Sequence, residues 1–82
     1  MMATLRVLNR SGDRRVSWST ADLLHGDPEA QAAVREAERI FTHERARGAV
    51  AFRVRPGAPA ERLEALDPLA DETVLIPPMV GG

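Results

Sequence analysis

No cysteine occurs among the 82 residues, so a disulfide framework, a thiol nucleophile and a thiolate metal site are all excluded. Lysine is absent as well, and all eleven basic residues are arginine. The bland explanation is genomic, since a G+C-rich coding sequence favours arginine and alanine codons. The chemical consequence holds whatever its origin: no side chain here can receive an isopeptide bond. Long apolar runs are also missing. No stretch approaches the ~20 residues needed to span a bilayer, and "MMATLRVLNRSG" lacks the apolar segment of a signal peptide. The expected location is therefore the cytoplasm, without membrane contact.

What remains is the composition of an ordinary globular domain, with 44% hydrophobic residues, 28% charged residues and a formal net charge of −1. A chain of this size buries roughly 60–65% of the surface its unfolded form exposes, enough for one modest core and no interdomain cleft. His25 and His43 alone cannot complete a metal shell, and neither has a partner at motif spacing that would make it a catalytic base. His43 sits where a helix dipole favours a cation, and both histidines read as structural.

Two-residue periodicity marks "TLRVLNR" and "RRVSWS" as strands joined by the turn "NRSGD". Their inward row is Leu5, Val7, Val16 and Trp18. "STADLLHGD" reads as a connection. Asp27 and Pro28 then open a helix, because Asp caps free first-turn amides and Pro needs no partner for an N–H it lacks. From Pro28 to Arg47, Ala30, Ala33, Val34, Ala37, Ile40 and Phe41 form one apolar stripe, and Gly48 supplies a left-handed stop. The charges along this helix alternate in sign as on a solvated face. "AVAFRVR" is a third strand, with Val50, Phe52 and Val54 expected inward. Prolines 56, 59 and 68 break the next segment into a turn, a helical turn around residues 60–66 and an acidic loop. "TVLIPP" is the last strand, with Val74 and Ile76 expected inward.

A single amphipathic helix between a hairpin and later strands buries its stripe against one face of the sheet they build. The expected fold is therefore α+β, two-layer, with a mixed sheet of about four strands. Right-handed crossover over the helix brings the last strand parallel to the first at the centre. That is the order of a β-grasp fold, in a single domain over 1–82 with a flexible tail at 77–82.

Element order, length and the closing Gly81-Gly82 resemble the ubiquitin-like superfamily. The tail "IPPMVGG", Ile76 to Gly82, is similar to the Pro-Pro-x-x-Gly-Gly ending common in the small subunit of molybdopterin synthase, and more loosely to that of the thiamine-pathway sulfur carrier. "DPLADETV" resembles the acidic turn before that family's last strand. The resemblance implies a carrier, not an enzyme. It binds no cofactor itself, and a partner adenylating enzyme uses ATP and magnesium to activate the carboxylate of Gly82. The acyl group then passes to sulfur as a thiocarboxylate, for a sulfur acceptor enzyme, or to an amine of a conjugation target. The alternative from another class is a β-grasp interaction subunit that never reacts.

The tail's residue types suit that task. Gly81 and Gly82 have no Cβ, so the backbone can thread a narrow channel and approach a nucleotide closely. Pro77 and Pro78 fix φ near about −65° and hold the exit extended, which lowers the entropy lost on binding. Met79 and Val80 are apolar contacts for the channel mouth. Strand parity also predicts a partner-binding open sheet face of Arg6, Leu8, Arg15, Ala51, Arg53, Arg55 and Leu75. Its arginines would steer an acidic, partly apolar partner, and a face without aromatic stacking residues gives no expectation of nucleic acid.

Overall fold

A computed structural model describes residues 1–9 and 12–78. Strands β1 (Met2–Val7) and β2 (Arg14–Ser19) form the hairpin, and helices α1 (Thr20–Leu24) and α2 (Pro28–Ala46) follow. Then come β3 (Val50–Val54), β4 (Glu61–Leu63) and β5 (Glu72–Ile76). The five strands form one mixed sheet in the order β2-β1-β5-β3-β4. β5 lies parallel to β1 at the centre, and its partners on both sides complete its ladder. This is a β-grasp α+β fold, with five strands where about four were expected.

Local signals set α2. Asp27 Oδ2 accepts a hydrogen bond from the Ala30 N–H at 3.0 Å, and Pro28 opens the first turn. Ala30, Val34, Ala37, Ile40 and Phe41 are buried, as the stripe predicted. Gly48 ends the helix with φ of 100°, and its N–H donates to the Arg45 carbonyl at 3.0 Å. Asp27→Ala removes the acceptor of a first-turn amide. Its expected cost is about 0.5–2 kcal/mol of unfolding free energy, read from denaturant melts.

The stripe packs on Ala3, Leu5, Val7, Trp18, Ala49, Ala51 and Leu75. Three of these contacts are alanine, and Ala3, Ala37 and Ala51 are all fully buried. Small residues thus lie where helix meets sheet, which lets the two layers approach closely. Trp18 is also buried, and its Nε1 donates to the Pro68 carbonyl at 2.9 Å, tying the segment before β5 to the hairpin.

Two elements differ from expectation. "STADLL" contains α1, capped by Ser19 Oγ accepting from the Asp22 N–H at 3.1 Å. The Ser-x-x-Asp spacing of Ser19 and Asp22 was the signal for it. The segment expected as a helical turn instead carries β4, paired antiparallel with β3. Between Pro59 and Pro68 there are too few residues to repay helix nucleation, and the open edge of β3 offers hydrogen bonds at once.

Candidate functional site

Cross-strand partners share a face of a sheet, so register determines which side chains meet. Val7 faces the helix. Its neighbour Leu75, then Ala51 and Leu63, continue that row across β5, β3 and β4. Leu75 and Ala51 are fully buried in the core, which corrects the expectation that they lie on the open face. Arg53 belongs to the same side. It pairs with Glu61 and, at 3.3 Å, with Asp67, so it ties β4 and the following loop to β3. Hydrogen bonding and charge from Glu61 hold its guanidinium above the ordinary arginine range, with Asp67 adding to the effect. Arg55 is exposed beyond the end of β3.

The expected inward residues of β3 and β5 are correspondingly reversed. Val50, Phe52 and Val54 pair with Ile76, Val74 and Glu72, on the face that also carries Arg6. Of the expected open-face set, Arg6 and Arg15 hold their places as a cross-strand pair. Leu8 continues the ladder, its N–H donating to the Leu75 carbonyl at 3.0 Å, and it is half-buried.

One row thus reads Arg15, Arg6, Val74, Phe52, Arg62 across β2, β1, β5, β3 and β4. Val74 is 6% exposed, closed in between its neighbours. Arg15 and Arg62 are exposed, while Arg6 is half-buried with its Nε lacking a hydrogen-bond partner. None of these three arginines forms an ion pair among the described residues. Arg14, Arg39, Arg45, Arg47 and Arg53 all do. Phe52 also removes the argument that this face has no aromatic residue.

The second region is the root of the tail. β5 leads from the sheet centre through Ile76, 41% exposed, to exposed Pro77 and Pro78. A Cβ placed on Gly48 would lie 3.4 Å from Pro78 Cγ, so the end of α2 and the second proline sit side by side. Pro77 joins Val7, Ile40, Arg39, His43 and Arg47 in lining a cleft of about 430 Å³. The remaining tail residues of the expected site, Met79, Val80, Gly81 and Gly82, lie outside the described residues.

Elsewhere the charges read as a solvated surface. The hydrogen bonds from Arg39 hold the Glu36 carboxyl below its ordinary range, with the charges of Arg39 and Arg14 acting in the same direction. A lowered carboxyl favours the fold at neutral pH, and that contribution is lost as acid titrates Glu36. His43 is exposed and lies 3.9 Å from Glu44. Among the described residues, no three His, Cys, Asp or Glu side chains gather as a metal shell, and no helix is long and apolar enough to cross a membrane. No family model, curated protein or solved structure matches the chain.

Proposed function

We propose that the chain is a ubiquitin-like sulfur carrier, a substrate of an adenylating enzyme and not itself a catalyst. The Gly82 carboxylate attacks the α-phosphate of ATP held with magnesium in that partner, forming an acyl adenylate and releasing pyrophosphate. Hydrosulfide then attacks the acyl carbon and displaces AMP, leaving a terminal thiocarboxylate that a sulfur acceptor enzyme consumes. The observation that carries this reading is the course of β5. It runs through the middle of the sheet and passes straight into an exposed Pro77-Pro78 root.

A central strand, bonded on both sides, is a rigid base from which to deliver a tail. Pro77 and Pro78 restrict the first two backbone φ angles beyond it, so little entropy is lost on ordering the exit. The body contributes a fixed point of departure, and the partner contributes the chemistry.

The test is the intact mass of the full protein after incubation with cell extract, ATP and magnesium. The expected product carries sulfur in place of one terminal oxygen, on a chain ending at Gly82. A branched adduct through Gly82 would instead assign it to protein conjugation. An unchanged mass under all conditions would favour a non-reacting interaction subunit.

A further inference from the structure

We infer that the cleft beside the tail root binds a small organic phosphate, the phosphate monoester of an apolar or aromatic alcohol. The inference rests on the cleft and does not require Gly82 to react. The cleft lies between the second half of α2 and the turn end of the hairpin, and its volume of about 430 Å³ falls within the ~300–1,000 Å³ of small-molecule sites. Val7 and Ile40, both buried, form its apolar floor, and Leu8 and Pro77 continue it at the edges. Around that floor stand Arg14 of β2 with Arg39, His43 and Arg47 of α2 and its cap, against one carboxylate, that of Glu44. The three arginine side chains are between 60% and 69% exposed, so a solute reaches them without any opening of the fold.

Charge and floor together select the ligand. Arg14 meets Glu36 at 3.6 Å and Arg47 meets Glu44 at 3.8 Å, contacts too long to be hydrogen bonds, so donors of both guanidiniums stay open to a ligand. Glu36 does not line the cleft. It accepts from Arg39 Nε at 3.1 Å and neighbours Arg14, so one carboxylate outside the cleft holds a helix arginine and a strand arginine together at its wall. An anion that bridges the two must offer acceptors to both elements at once. A phosphate has three such oxygens and about −1.5 to −2 charge, which suits paired guanidiniums better than a carboxylate does. The apolar floor selects the remainder, because an ester group covering Ile40 and Pro77 removes apolar surface from water and inorganic phosphate does not.

The orientation follows from the charges that oppose binding. Glu44 and the negative C-terminal end of α2 disfavour an anion beside Arg47, so the phosphate sits toward Arg14 and Arg39 and the ester group points to Pro77. Pro77 is the first residue past β5, and occupancy is therefore felt at the root of the tail.

The probe is phenyl phosphate, titrated into the full-length protein and followed by NMR. Expected are a dissociation constant in the millimolar range and shifts centred on Leu8, Ile40 and His43. Inorganic phosphate and benzyl alcohol, each lacking one half of the ligand, should bind at least about tenfold more weakly. Arg14→Gln, at an exposed position, should raise the dissociation constant about tenfold with unchanged melting temperature, and Arg39→Gln should raise it by a similar factor. Arg47→Gln should change it by less than about threefold, and Arg55→Gln, away from the cleft, should leave it unchanged. Absence of binding, shifts elsewhere, full affinity in Arg14→Gln, or equal binding of inorganic phosphate would overturn the inference. So would tighter probe binding to a protein lacking residues 79–82, with the same three residues shifted before any probe is added, since the chain's own end would then be the occupant. None of these outcomes bears on the mass test of Gly82.

Discussion

Leu75→Ala is expected to lower the unfolding free energy by about 2–5 kcal/mol, while Ile76→Ala, one residue on, lowers it by about 1 kcal/mol. Sequence pattern alone ranks these substitutions the other way, since Ile76 stands in the phase expected to face the helix. The structure reverses them. Leu75 is fully buried between Val7 of β1 and Ala51 of β3, beneath α2, whereas Ile76 is 41% exposed on the opposite face. Truncating Leu75 leaves a cavity that rigid strands on both sides cannot close, so the lost transfer energy and the cavity cost add. Against a total stability of about 5–15 kcal/mol for a small domain, that is a large fraction. Urea melts of both variants decide the matter. Equal losses, or a larger loss at Ile76, would mean that β5 is paired one residue out of the register described.

Removing Gly82 is expected to abolish ATP-dependent modification while leaving the melting temperature unchanged. The proposed chemistry occurs at a single carboxylate. Deletion transfers that group to Gly81 and shortens the chain's reach by about 3.3–3.6 Å. Reacting atoms must approach within about 3–3.5 Å, and a misplacement of about 1 Å already costs about 100-fold in rate, so at least that loss is expected. Gly82→Val keeps the length and adds a branched side chain at the channel, and it should fail for steric reasons alone. Intact mass and a pyrophosphate-release assay check both variants. Full modification of the shortened chain would remove the carrier reading.

Both predictions depend on how unevenly the sequence exposes its own structure. The helix was legible because each of its signals is local. Asp27 caps it, Pro28 opens it, Gly48 stops it, and the buried stripe repeats at helical spacing in a segment long enough to average out exceptions. The hairpin was equally plain, since polar and apolar residues alternate in β2 and Trp18 identifies the inner side. Strands β3 and β5 were recognisable as strands, but their facing was not. "AVAFRVR" has alanine in one phase and bulky residues in the other, and the bulky phase is the natural choice for a core. The protein instead puts the small phase under a helix lined with alanine. In "TVLI" nearly every residue is apolar, as befits a central strand, so alternation carries no information about its sides.

The amino-acid sequence by itself determined the hairpin strands, the long helix and its boundaries to within a residue, the strands β3 and β5, the β-grasp order and the Pro-Pro-Met-Val-Gly-Gly composition on which the carrier proposal rests. Tertiary structure alone decided that Ala51, Arg53 and Leu75 turn toward the helix, that residues 61–63 form an edge strand, and that Val74, Phe52 and Arg62 join Arg6 and Arg15 on the open face. The physical reason is that a strand's facing is a single choice between two phases. Where both phases are apolar, hydrogen bonding to neighbouring strands makes that choice, through residues far away in the chain.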